Sequence, residues 1–254
     1  MTPAQHISWI RRPLAELATG FALLTRLPYI ARHADFSRGA AAIWSYPLVG
    51  FGVALIAGML GTFALAIGLA APLAALVILL ACIVTTGAMH EDGLADSIDG
   101  LWGGWDPARR LAIMRDSHIG SYGVIALALS LAARWAALSL MLEADLVFAP
   151  LIAAAVLSRG AMPVLMASQP HARRDGLSHA QGRASGERAA LGLLFAVVLA
   201  VAAGGASALL PAAVMLLIWR QITTAKIGGQ TGDTLGAAQQ IIEITTLFAF
   251  CAAL

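Results

Sequence analysis

Four carboxylates, Glu91, Asp92, Asp96 and Asp99, crowd the segment "HEDGLADSIDG" directly behind an apolar run long enough to cross a bilayer. Asp92, Asp96 and Asp99 are separated by four and then three residues, which on a helix places them on one face, each about one turn from the next. Like charges at that spacing repel, so the cluster calls for a cation. Hard oxygen donors, with no cysteine and only His90 nearby, favour Mg²⁺ or Mn²⁺ over zinc. Mg²⁺ takes one or two protein carboxylates and completes its shell with water and phosphate oxygens. Glu91, Asp92, Asp96 and Asp99 are therefore the candidate metal ligands. The small residues Gly93, Ala95 and Gly100 are expected to leave this face open to a phosphate ester. The structural alternative is an acidic helix start stabilised by the helix dipole.

Two further polar segments shift the balance towards chemistry. In "MRDSHIGSYG", Met114 to Gly123, Arg115 offers a phosphate fork, Asp116 a metal or hydroxyl partner and Ser117 a neutral donor. Gly120 and Gly123 permit close backbone approach; an N-cap at Asp116 or Ser117 is the plainer explanation. In "AKIGGQTGDTLGAAQQIIE", Ala225 to Glu243, three glycines form a loop leading into a helix capped by Thr231, Asp233 or Thr234. Such a helix start aims free N–H groups at an anion, and Lys226 adds a point charge. Thr231, Gly232, Asp233 and Lys226 are thus candidate phosphate contacts. Gln239, Gln240 and Glu243 continue an otherwise apolar helix, where polar residues face a cavity or a partner helix. The basic loop from Gln169 to Arg188 suits an anionic substrate or a simple positive loop equally.

The elements that must hold these segments are membrane helices. The chain has 254 residues, 59% hydrophobic and 12% charged, with a mean hydropathy of +0.81. Soluble domains carry roughly 25% charged residues. The fold class is all-α, a polytopic transmembrane helical bundle of roughly six to eight spans in one domain covering residues 1–254. Apolar windows place spans near 42 to 67, 72 to 89, 121 to 142, 147 to 167, 189 to 204, 207 to 220 and 237 to 254. Residues 14 to 29 hold Glu16 and Arg26 and predict an interfacial amphipathic N-terminal helix.

Fourteen of the sixteen Lys and Arg residues fall in or beside the loops on one side of these spans. Positive residues gather in cytoplasmic loops, so the acids, the "MRDSH" segment and the glycine loop are expected to face the cytoplasm. The other two, Arg134 and Arg159, sit within spans and are expected to face the bundle interior. No basic run indicates nucleic acid. Cys82 and Cys251 lie in apolar segments without CxxC spacing and read as inert packing residues. His6, His33, His118 and His171 have no partner at metal spacing and read as surface residues.

Together, "EDGLADSIDGLWGG" (91–104), "MRDSHIGSYGVIAL" (114–127) and "GGQTGDTLGAAQQIIE" (228–243) resemble the cobalamin synthase family, as do "ALLTRLP" (22–28) and "YPLVG" (46–50). The resemblance implies a Mg²⁺-dependent transferase of the bacterial inner membrane, with its active site on the cytoplasmic side. It would move the adenosylcobinamide phosphoryl group from adenosylcobinamide-GDP to α-ribazole or its phosphate, releasing GMP. Homo-oligomerisation or association with other enzymes of that pathway would be compatible with it.

On that reading Asp92 and Asp96 hold metal with Glu91 beside them, and Asp99 or Asp116 accepts the proton of the attacking hydroxyl. Arg115, Ser117, Lys226 and the turn Thr231 to Asp233 hold substrate. Trp102, Trp105 and Tyr122 offer surface to a corrin ring. A CDP-alcohol phosphotransferase is the alternative, although its DGxxAR pattern would need arginine where Asp96 stands. A cation transporter fits less well, because the acids sit at one interface and not at the midplane. A purely structural membrane subunit would need none of these side chains.

Overall fold

The computed structural model describes residues 3–28 and 30–254, apart from the side chains of residues 3–11, 31, 177 and 178. His6 and Arg11 therefore lie outside the described side chains. Among the described residues every regular element is a helix, joined by turns and loops. α1 (Pro3–Leu24) leads through short turns to α2 (Gly39–Ala42) and α3 (Tyr46–Ala66). These are followed by α4 (Ala71–Thr86), α5 (Met89–Gly103), α6 (Pro107–Ile113) and α7 (Ser121–Glu143). The second half holds α8 (Phe148–Ser168), the one-turn α9 (Leu177–Ala180), α10 (Gly186–Ala202), α11 (Leu209–Ile227) and α12 (Gly232–Cys251).

Five stretches are long and apolar enough to cross a membrane: Phe36–Ala66, Ser121–Glu143, Phe148–Ser168, Gly205–Ile227 and Gly232–Cys251. The pair α4 and α5 passes the same test only as a unit bent by 85°. The chain is thus a multi-pass helical bundle. The expected span at 72 to 89 stops at Thr86, because Gly87 and Ala88 both adopt left-handed backbone at φ +67° and +57°. Gly87 closes α4 by donating to Ile83 and Val84, and Ala88 starts α5 in a new direction. A non-glycine residue held there costs about 1 to 3 kcal/mol, which the surrounding packing must outweigh. The acidic segment consequently lies across the end of α4 instead of continuing it.

α8 is the most enclosed span and packs against α3, α10 and α12. Its Ala153 and its neighbours' Ala196, Ala200 and Ala208 are small residues, all fully buried. Lipid offers no hydrophobic drive between helices, so close van der Waals contact of this kind must hold the bundle. α1 is not among the candidate spans and packs along the start of α3.

Arg134 and Arg159 both face the interior, at 1% and 2% exposure. Arg134 joins Glu91 at 2.9 Å and Glu243 at 3.3 Å, tying α7 to α5 and α12. Gln240 donates to Glu91 at 3.3 Å and accepts from Ser130 at 3.0 Å. Gln239 donates to Ser158 at 3.2 Å, which extends the network to α8. With almost no competing water, such bonds fix which helix faces meet.

One end of the bundle gathers the loops. Ala172 N–H donates to the Gln230 carbonyl, Gln230 N–H to the Pro170 carbonyl, and Ala40 N–H to the Gln181 carbonyl. Arg110 donates to the Lys226 carbonyl at 2.8 Å, joining the α6 and α11 ends.

Candidate active site

α5 carries the acids and is fixed on two sides. Gly93 presses against α12: an added Cβ would sit 2.8 Å from the Asp233 carbonyl oxygen. Gly100 is likewise covered, by Met114 and the Arg110 carbonyl. The expectation that Gly93 and Gly100 leave room for substrate is therefore corrected. Their missing side chains admit neighbouring backbone and side chains, not a phosphate ester.

Of the four expected metal ligands, Glu91, Asp92 and Asp96 line one cleft and Asp99 does not. The buried Glu91 accepts from Arg134 and Gln240 through Oε1 and serves the interior brace. Asp99, also buried, accepts from Gly120 N–H at 2.7 Å and from Gly123 N–H at 2.8 Å. Asp99 thus caps the start of α7 from a different helix, placing negative charge where the helix dipole is positive. Gly120 and Gly123 approach this carboxylate closely; a Cβ on Gly123 would lie 2.3 Å from Asp99 Oδ2.

Asp92 and Asp96 remain turned towards solvent, exposed and half-buried. Asp96 feels the charges of Asp92, Asp233 and Asp99, opposed by Arg173. Asp233 is the carboxylate that spacing alone did not join to this face. Among the described residues, no group of three His, Cys, Asp or Glu side chains is disposed to hold a metal by itself. Two carboxylates with open space beside them still suit a hard cation that draws its other ligands from water and phosphate.

That space is an open cleft of 460 Å³. Glu91, Asp92 and Asp96 of α5 line it together with Arg115, Asp116, Ser117 and His118 of the loop before α7. Asp116 accepts through one oxygen from the His118 ring at 2.7 Å and from His118 N–H at 3.1 Å. Those two hydrogen bonds, the ring's first, hold the Asp116 carboxyl below the usual carboxylate range. His118, expected to be a plain surface residue, is exposed but belongs to the cleft as Asp116's partner. Its sequence signal is the i, i+2 pair in "DSH", which does not match metal-ligand spacing.

Arg115 pairs with both oxygens of Asp175. Asp175 also lies 3.6 Å from Arg173, which bonds Asp233 at 3.1 Å. This ionic chain joins the cleft loop, the 169–188 loop and the α12 start. Arg173 Nη1 is buried without a hydrogen-bond partner.

The glycine loop leads into α12 with Thr231 as its cap, as expected, but its residues are held by protein partners. Gln230 is zipped to residues 170–172, and Thr231 and Thr234 cap α12 reciprocally. An added Cβ on Gly229 would lie 2.2 Å from the Pro170 carbonyl oxygen. The Thr231 hydroxyl also lies 3.2 Å from Asp233, so its hydrogen-bonding capacity is used within the cap. Gly232 opens towards a separate small cavity beside His90 and Tyr46. Lys226 donates to the Leu101 carbonyl at 2.9 Å and stacks 4.8 Å above Trp102. It fastens α11 to the end of α5, away from the cleft lining where phosphate contact was expected.

A family model described as cobalamin-5-phosphate synthase matches residues 16–251. The chain belongs to the cobalamin-5-phosphate synthase family. A protein of Mesorhizobium japonicum named adenosylcobinamide-GDP ribazoletransferase is 42% identical over 249 residues, covering 96% of this chain and 95% of its own length. One of the same name from Bradyrhizobium diazoefficiens is 39% identical, covering 94% of each chain. An Escherichia coli relative, also so named, is 37% identical over 89% of this chain and 95% of its own. No solved structure matches the chain. In this synthase family member the cleft and the ionic chain through Arg115, Asp175, Arg173 and Asp233 bring the three sequence segments together.

Proposed function

We propose that this chain transfers the adenosylcobinamide phosphoryl group from adenosylcobinamide-GDP to a ribose hydroxyl of α-ribazole or its 5′-phosphate, releasing GMP. The observation that carries the proposal is that Asp92 and Asp96 share one cleft with Arg115, Asp116, Ser117 and His118. The hydroxyl oxygen attacks the corrin-side phosphorus, the bridging P–O bond of the diphosphate breaks, and GMP departs with the bridging oxygen. Such a displacement needs positioning and charge stabilisation more than covalent help from the protein.

Asp92 and Asp96 would hold Mg²⁺, which when bound neutralises charge on the diphosphate and the departing GMP. Arg115 and Arg173 orient phosphate oxygens, exchanging Asp175 for substrate on a guanidinium fork. Asp116 holds the His118 ring through Nδ1, so Nε2 is the acceptor for the hydroxyl proton. Asp99 positions the α7 start and with it the cleft wall. Trp102, Trp105 and Tyr122 are exposed and present flat apolar surface for a corrin ring.

The cleft faces the cytoplasm and the membrane is the bacterial inner membrane. In support, the linking loops at the opposite end, 67–70, 144–147 and 203–208, contain no Lys or Arg. The test is product identification with the purified chain in lipid. GMP release that depends on both adenosylcobinamide-GDP and α-ribazole, or its phosphate, is expected. CMP release from a CDP-alcohol in its place would assign the cleft to the alternative phosphotransferase reaction.

A further inference from the structure

A second charged cleft lies on another side of the bundle and shares no lining residue with the acidic one. It measures 460 Å³, and Arg12, Arg38 and Arg188 line it together with Glu16. Glu16 on α1 is 2% exposed and pairs with both Arg38 and Arg188, the latter at 2.8 Å. Trp44 donates to the same carboxylate at 2.7 Å. Two guanidiniums thus hold one carboxylate and a third, Arg12, lines the same cleft, leaving positive charge in excess. Arg38 Nε is buried with no hydrogen-bond partner, a donor left unsatisfied by the protein.

The setting says which anion fits. Arg38 opens the span Phe36–Ala66, and Arg188 lies in the first turn of α10. Both therefore stand where helices leave the polar layer, at the level of lipid headgroups. Leu191 and Phe195, one and two turns below Arg188, line the cleft itself. Leu194, Val198 and Val201 continue down α10 as exposed apolar residues. A soluble anion would use the arginines and leave that apolar track idle. A phospholipid uses both.

We propose that this cleft binds one anionic glycerophospholipid. Its phosphodiester lies among Arg12, Arg38 and Arg188, and an acyl chain runs along Leu191, Leu194 and Val198. Glu16 holds two of the arginines in place and does not neutralise the site. The excess charge selects phosphatidylglycerol-type headgroups over zwitterionic ones.

The test is native mass spectrometry of the purified full chain, exchanged in turn against phosphatidylglycerol and phosphatidylcholine. Preferential retention of a single phosphatidylglycerol is expected. Arg12→Gln leaves the Glu16 pairs intact and should lower that retention about fivefold, the worth of one interfacial cation. Arg12→Gln with Arg188→Gln should lower it further, and Arg12→Gln alone decides the matter if the double variant does not fold. Equal retention of both lipids, or no change in Arg12→Gln, overturns the proposal. So does displacement of the lipid by inorganic phosphate alone at millimolar concentration, which would make the cleft a free-anion site.

Discussion

Asp99 on α5 accepts a 2.8 Å hydrogen bond from the backbone N–H of Gly123, inside the first turn of α7. Its other oxygen takes the Gly120 N–H, so one side chain closes the start of a 23-residue span. Replacing Asp99 by Asn weakens a charge-assisted cap and should cost about 1 to 3 kcal/mol. Thermal unfolding in detergent, followed alongside GMP release, should show stability and activity falling together. A loss of more than about a hundredfold in kcat with unchanged stability would instead mark Asp99 as the proton acceptor.

His118 and Asp116 act as a unit in the proposed reaction. His118→Gln should lower kcat about a hundredfold, within the range for a lost general base. Asp116→Asn, which only loosens the ring, should lower it about tenfold. Added imidazole should restore part of the rate to a His118→Gly variant and none to Asp92→Asn. Steady-state kinetics with saturating Mg²⁺ would separate these outcomes.

The buried bridge from Arg134 to Glu91 and Glu243 should be costly to break from one side only. Arg134→Met strands two carboxylates inside the bundle and should destabilise by about 3 to 5 kcal/mol. Replacing Arg134, Glu91 and Glu243 together by apolar residues of similar size should recover much of that loss. Unfolding temperatures of the single and triple variants provide the check.

Glu16 gives stability a dependence on pH. Burial alone would raise its pKa from 4.5, but hydrogen bonds from Arg38 and Trp44 and the charge of Arg188 outweigh this and lower it. A carboxylate depressed on folding contributes stability above its unfolded value, lost as pH falls through the folded one. Wild type should therefore exceed Glu16→Gln by a constant margin at neutral pH, and the margin should close below about pH 4. Unfolding of both proteins across that range measures it.

Much of the bundle is legible from composition and apolar windows, because a bilayer leaves a helix little choice. The break after Thr86 was less visible. Gly87 is an ordinary stop signal, but nothing marks Ala88 as left-handed, and without that bend the acids extend a straight span. Spacing put Asp92, Asp96 and Asp99 on one face, yet could not say what else approaches that face. α7 claims Asp99, Arg134 claims Glu91, and Asp233 is brought near from more than a hundred residues away. Lys226 had the right charge for phosphate, but Leu101 and Trp102 lie beside it once α11 meets α5. Such partners are long-range, and local pattern carries no trace of them. The His118 ring is hidden for the opposite reason: its partner is two residues away, closer than metal-ligand spacing.

Metal binding by Asp92 and Asp96 for diphosphate transfer in the acidic cleft is tested most directly by one titration. GMP release from adenosylcobinamide-GDP and α-ribazole would be followed against Mg²⁺ for wild type, Asp92→Asn and Asp96→Asn in lipid. Wild type should lose activity to a chelator and regain it with Mg²⁺. Each variant should fall at least a hundredfold, as expected for a lost metal ligand, while remaining folded. Full activity in both variants, or wild-type activity indifferent to chelation, would contradict the assignment.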